Sequence, residues 1–161
     1  MKIRLATKGD IPKMREIYNY GRKIQLESGN PSQWKEGYPK ESIILEDIEN
    51  KAAHLCLNSK NEILAVFSVF TEADPTYSKI EGEWLNNEEY ATIHRIASAG
   101  KISGVGQYCI EWVQEQHDNV RIDTHKKNEQ MRHILKKLGF KYCGIIYLDN
   151  GEARDAYHYE K

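Results

Sequence analysis

The apolar residues of this chain change period repeatedly, from about two residues to about 3.6, and no internal repeat underlies the changes. A chain patterned this way must interleave strands with helices, so its fold class is mixed α/β. Ile3 and Leu5 alternate with polar neighbours as a first strand, and Thr7 with Asp10 reads as a capping box. Ile11, Met14, Ile17 and Tyr18 then recur at helical spacing. A helix is expected across 40–50, and the runs AAHLCLN and EILAVFSVF, parted by polar residues 59–61, read as an antiparallel hairpin. YATIHRIA is a further strand. The Gly-rich SAGKISGVG comes directly after it and opens a helix with Val105, Cys109, Trp112 and Val113 on one stripe. VRIDT is a short strand, and Met131, Ile134, Leu135 and Leu138 mark a helix that starts near Asn128 and ends at Gly139. KYCGIIYL, a turn at 149–151 and RDAYHYE close the chain as a second hairpin.

With 161 residues and no Pro/Gly/Ser linker or low-complexity tract, a single domain over 1–161 is expected. Its 23 basic and 24 acidic residues leave a net charge of -1. That balance gives no bulk electrostatic grip on nucleic acid or on an anionic membrane, so neither is expected as a partner. No apolar stretch approaches the roughly 18 residues of a membrane span, and MKIRLATKGD lacks the apolar core of an export signal, so the expectation is a cytoplasmic protein. Cys56, Cys109 and Cys143 show no CxxC spacing and read as buried thiols; no metal site is expected.

Chemistry is concentrated in Lys101-Ile102-Ser103-Gly104-Val105-Gly106. A strand, a Gly-rich turn and then a helix offer several backbone N–H groups to a phosphate, because glycines let the backbone approach and the helix start adds its positive end. The same arrangement serves any tight strand-to-helix turn. A Rossmann-type nucleotide domain is the weaker fit: Gly104 and Gly106 match GxG, but Cys109 stands where the third glycine would fall and GK[ST] is absent.

The loop resembles the Q/R-x-x-G-x-G/A motif of the GNAT acyltransferases, with Lys101 where Gln or Arg is usual. Asn128 followed by Gly139-Phe140 resembles that family's N-x(10)-G-F signature, and the order of elements is similar along nearly the whole chain. The resemblance implies an α/β (α+β) fold with a central, mostly antiparallel, splayed mixed sheet of six to seven strands flanked by about four helices. It implies an acetyltransferase that uses acetyl-coenzyme A as co-substrate. The pantetheine arm would enter between the strand ending in Ile96-Ala97-Ser98 and the strand around Ile122, against Ile96, Ala97 and Ser98. Lys101 to Gly106 and Gln107 would hold the pyrophosphate, with Asn128 and Leu135 on the flanking helix. Family members are frequently dimers, so a homodimer is in keeping with the resemblance.

Transfer to a primary amine needs that amine neutral, whereas a free aliphatic ammonium has a pKa of about 10.4, so a base must take a proton. His94 shares a strand face with Ile96, and Glu83 enters the same strand; either can serve. The family's usual thiolate-protonating Tyr, seven positions after the helix Asn, is Leu135 here, and Tyr147 or Tyr108 are its replacements. No Cys is paired with a His, so direct transfer is expected over an acetyl-cysteine. Aromatics at Trp34, Tyr38, Tyr77 and Trp84 suit a small-molecule or peptide amine through cation–π contact, and equally suit a core. The other class of reading, prompted by Leu135, is a catalytically weak module that binds or senses acyl-coenzyme A.

Overall fold

The computed structural model describes residues 1–161. Eight strands form one sheet: β1 (Lys2–Leu5), β2 (Ala53–Leu57), β3 (Ile63–Phe70), β4 (Glu81–Gly82), β5 (Ala91–Ser98), β6 (Asn119–Thr124), β7 (Lys141–Tyr147) and β8 (Ala153–Glu160). Their order is β1-β2-β3-β5-β6-β8-β7-β4. Four helices accompany them: α1 (Ile11–Glu27), α2 (Glu41–Glu49), α3 (Val105–Gln116) and α4 (Glu129–Lys137). The sheet is larger than the six to seven strands expected. The addition is β4, whose two residues carry no periodicity to betray them. Contacts gather into two compact units, residues 1–69 with 94–109 and residues 70–93 with 110–161.

In the first unit the capping box holds: the Thr7 N–H donates to Asp10 Oδ2 at 2.7 Å, and α1 starts immediately after. Burying Met14, Ile17 and Tyr18 turns α1 inward, where Ile44 of α2, Leu55 and Leu57 of β2, Val66 of β3, Trp34 and Ala97 complete a core. Each buried Met, Ile, Leu or Val side chain here contributes roughly 1.5–3 kcal/mol. β1 and β3 flank β2 antiparallel, with pairs such as Ile3↔Cys56 and Cys56↔Ala65.

In the second unit β8 lies antiparallel between β6 and β7, for example Ile122↔Tyr157 and Tyr142↔Tyr157. The parallel ladder of β5 on β6 takes in Ala91↔Val120 and Thr92↔Arg121. α4 ends as its sequence predicts: Gly139 sits at φ 88, its N–H donates to Lys136 O at 3.2 Å, and the Phe140 N–H donates to Leu135 O at 2.9 Å. Those two bonds make a Schellman motif, and its accompanying apolar contact uses Leu135 and Phe140, both buried. β4 exists because two glycines allow it. Gly82 and Gly144 face each other at φ 134 and 137, and a β-carbon on either would run into the carbonyl oxygen of Cys143 or Glu81.

Candidate functional site

β5 carries His94 to Ser98, and the turn after it is shaped from within: the Gly100 N–H donates to Ser98 Oγ at 3.1 Å, and the Ala99 N–H donates to Leu64 O at 2.9 Å. Gly100 takes φ 74 with the Tyr20 hydroxyl oxygen 2.5 Å from where its β-carbon would be. Lys101, Ile102, Ser103 and Gly104 are exposed, and α3 starts at Val105. Gly104 adopts φ 81, and a β-carbon on Gly104 or Gly106 would meet no atom within 4 Å. The first intrahelical bond runs from Tyr108 N to Gly104 O at 3.0 Å. Here is an exposed helix start, bare of side chains at two glycines, with a lysine beside it. Such a site can take an anion on its backbone N–H groups.

Between His94 and Ile96 β5 passes through an unusual backbone conformation. Arg95 has φ 52, a left-handed conformation that costs a residue with a β-carbon about 1–2 kcal/mol. Its side chain explains how the conformation is held. Arg95 Nε and NH2 each donate to the Asp47 carboxylate of α2 at 2.8 Å, NH1 donates to the Tyr38 hydroxyl at 3.3 Å, and Ser68 Oγ donates to Asp47 Oδ2 at 2.8 Å. Burial works against the Arg95 charge, but the Asp47 hydrogen bonds and the neighbouring Tyr38 and Asp47 more than offset it, so its pKa is raised. The salt-bridge partner of Arg95 lies 48 residues back in sequence, on a helix whose pattern gives no sign of it. Ala97 points into the core beside Gly21 and Trp34, and His94 is half-buried.

Trp34 and Tyr38 come to β5, as pocket-wall residues should, but Trp34 is 7% exposed, edge-on to Tyr18, and supports the strand instead of facing a ligand. Tyr38 is half-buried with its hydroxyl on Arg95. In the second unit Tyr77 is 1% exposed and donates its hydroxyl to Asp123 Oδ2 at 2.6 Å; burial, then the Asp123 charge, raises its pKa well above the usual phenol value. Trp84 donates Nε1 to Tyr77 O at 2.9 Å, and the Arg121 guanidinium lies 4.2 Å over its ring and 4.0 Å over Tyr90. The cation held by these aromatics is the chain's own arginine. Trp34 and Tyr77 are thus core residues, because a large ring wedged on all sides offers no face to an amine.

Of the proton-transfer candidates, Glu83 is exposed just beyond β4, its N–H donating to Cys143 O at 3.0 Å. Tyr147 is 46% exposed, and its hydrogen bond with Glu81 raises its pKa. Glu83 lies opposite Cys143, four residues along β7 from Tyr147, or roughly 13 Å of strand, so the two do not meet as an acid–base pair. Tyr108 donates its hydroxyl to Met1 O at 2.8 Å. Asn128 caps α4, its Oδ1 accepting from the Met131 N–H at 3.2 Å, and Leu135 is fully buried. Cys109 is fully buried, with its pKa raised by the hydrogen bond to Cys56 and by burial, the opposite of what a nucleophile needs. No group of three or more His, Cys, Asp or Glu side chains is placed to hold a metal ion, and no helix is long and apolar enough to cross a membrane.

The residues that sequence reasoning missed are Asp47 and Glu62. Glu62 accepts from Lys101 Nζ at 3.4 Å, beside the Gly-rich turn. Neither follows a motif.

No protein-family profile matches the chain, and no curated protein matches it. Solved structures do. A GNAT-family acetyltransferase of Streptococcus agalactiae is 34% identical over 99% of this chain and 95% of its own, with a TM-score of 0.91. One from Listeria monocytogenes is 19% identical over 99% and 94%, with a TM-score of 0.75. A phosphinothricin acetyltransferase of Sinorhizobium meliloti, solved with AcCoA, is 12% identical over 99% and 87%, with a TM-score of 0.65, a likeness of fold alone.

Proposed function

The chain belongs to the GNAT acetyltransferase family, and on that premise we propose that it transfers the acetyl group of acetyl-coenzyme A directly to a primary amine of a small molecule or peptide. One observation carries the coenzyme half of this reading: the exposed start of α3 behind Lys101, Gly104 and Gly106. The fit is both steric and electrostatic. Open space over both glycines lets a phosphate reach the backbone, and the helix end with Lys101 favours its charge.

Bound coenzyme supplies an activated thioester, and the chain's residues do the rest. Lys101 and the N–H groups of the turn from Ile102 through Gly106 and Gln107 hold the pyrophosphate. Ile96, Ala97 and Ser98, beyond the end of the β6 ladder at Thr92, offer backbone groups to the extended arm. An N–H at Ile96 or Ala97 polarises the acetyl carbonyl, and the Asp47–Arg95 pair keeps that backbone from shifting. His94 takes the proton from the amine, directly or through water, with Glu83 the other candidate. Tyr147 remains the candidate for returning a proton to the thiolate, whose pKa of about 8.5 makes it a tolerable leaving group without one.

Gly106→Val tests the reading, because it adds bulk where no atom lies within 4 Å and the backbone needs no positive φ. It should leave the melting temperature within about 2 °C of wild type and weaken acetyl-coenzyme A binding by about tenfold or more, the loss of at least one charge-assisted contact. Unchanged affinity would remove the loop from the site. A second reading rests on Leu135, which places a buried alkyl group where the family's acid is usual: coenzyme binding without turnover. Tight binding with no amine-dependent thiol release would favour it.

A further inference from the structure

Lys101, the cation assigned to phosphate, already has an anion. Glu62 Oε2 lies 3.4 Å from Lys101 Nζ, in the same compact unit. The carboxylate is not on a loose loop. Asn58 Nδ2 donates to Glu62 Oε1 at 3.2 Å, Asn58 Oδ1 accepts from the Lys60 and Glu62 N–H groups at 2.9 and 3.0 Å, and the Asn58 N–H donates to Glu62 O at 3.1 Å. One asparagine therefore braces the whole β2–β3 turn and aims Glu62 at the Gly-rich loop. The same loop is tied to β3, just after the turn, by the Ala99 N–H donating to Leu64 O at 2.9 Å. Asn58 and then Lys101 hold the Glu62 carboxyl below the usual carboxylate range.

We propose that Glu62 is a resident counter-ion that competes with the coenzyme's phosphate for Lys101 and so sets coenzyme affinity. The inference rests on the coenzyme reading of the loop. Phosphate and a braced carboxylate on one ammonium repel each other, so Lys101 must turn from one to the other as coenzyme arrives. Both side chains are about half-exposed, at 45% and 48%. Exposed pairs of this kind shift an equilibrium by no more than about fivefold. Glu62 is thus a tuning residue that weakens coenzyme binding modestly and lets product coenzyme leave.

A double-mutant cycle on the full chain decides it, with calorimetric Kd values for acetyl-coenzyme A measured on wild type, Glu62→Gln, Lys101→Met and the double variant. The expected result is about three- to fivefold tighter binding for Glu62→Gln in the wild-type background and under about 1.5-fold where Lys101 is Met. No tightening in Glu62→Gln overturns the proposal. So does equal tightening in both backgrounds, which would be simple repulsion unconnected with Lys101. Absence of binding in all four proteins overturns the coenzyme reading itself, and this inference with it.

Discussion

Asp47→Ala is the perturbation whose size follows most directly from the structure. The Asp47 side chain is 5% exposed and that of Arg95 16%. The carboxylate accepts two Arg95 bonds and one from Ser68, each at 2.8 Å. Removing it takes the carboxylate from a largely buried guanidinium and leaves the weaker bond to the Tyr38 hydroxyl at 3.3 Å, and breaking a buried pair from one side costs about 3–5 kcal/mol. It also lets Arg95 relax from φ 52, which offsets part of the cost, so the loss should fall in the lower part of that range, about 3 kcal/mol. For a chain of this size each kcal/mol moves the melting temperature by roughly 2–4 °C, so Asp47→Ala should melt about 6–12 °C low. Asp47→Asn keeps the shape and should lose less, about 2–3 kcal/mol. Asp47→Ala with Arg95→Leu removes both charges and should recover part of the loss. Urea and thermal unfolding followed by circular dichroism measure all three. A loss below about 1 kcal/mol for Asp47→Ala, or a double variant additive in its two singles, would refute the view that this pair anchors β5.

Gly144→Ala should lose more than about 3 kcal/mol through strain and a backbone clash, whereas Gly139→Ala should lose about 1–2 kcal/mol through its φ of 88 alone; thermal melts rank the two. His158 Nδ1 accepts from the Leu85 N–H at 3.1 Å, so Nε2 carries the proton toward Asn119 Oδ1 at 2.9 Å, and burial followed by the Arg121 charge lowers the pKa to about 4. An unfolded histidine, at about 6.5, binds its proton first, so stability should fall as pH drops from 6.5 toward 4, by about 2–3 kcal/mol in all. His158→Gln should flatten the pH 5–6.5 part of that decline in urea titrations; an unchanged slope assigns the effect elsewhere. Cys109→Ala should keep turnover within about threefold, since a buried, raised-pKa thiol carries no acetyl group; complete loss would revive an acetyl-cysteine route.

Local patterns made much of the fold readable. Period changes placed the helices and the longer strands, and Gly139 and Asn128 marked both ends of α4 because capping is local chemistry. The Gly-rich turn was readable for the same reason. Contacts between distant segments were not: Asp47 meets Arg95 only when α2 packs on β5, and Glu62 meets Lys101 only when the β2–β3 turn reaches the loop. Composition also could not distinguish an aromatic that lines a pocket from one that fills a core. Trp34, Tyr77 and Trp84 carry the same signature in either place, and what decides it is that Tyr18 packs on Trp34, Trp84 and Tyr90 pack on Tyr77, and Arg121 lies over Trp84. The two-residue β4 had no pattern at all, since it depends on a pair of glycines more than sixty positions apart.

The most direct test of the central claim is acetyl-coenzyme A mixed with the protein and a panel of primary amines and peptides, following thiol release and the acceptor's mass together. Release should depend on both protein and amine, with one acetyl group gained on the amine for each thiol freed, and it should be lost in His94→Ala. Saturable coenzyme binding with no amine-dependent release across the panel, and no acetylated product, would contradict that claim.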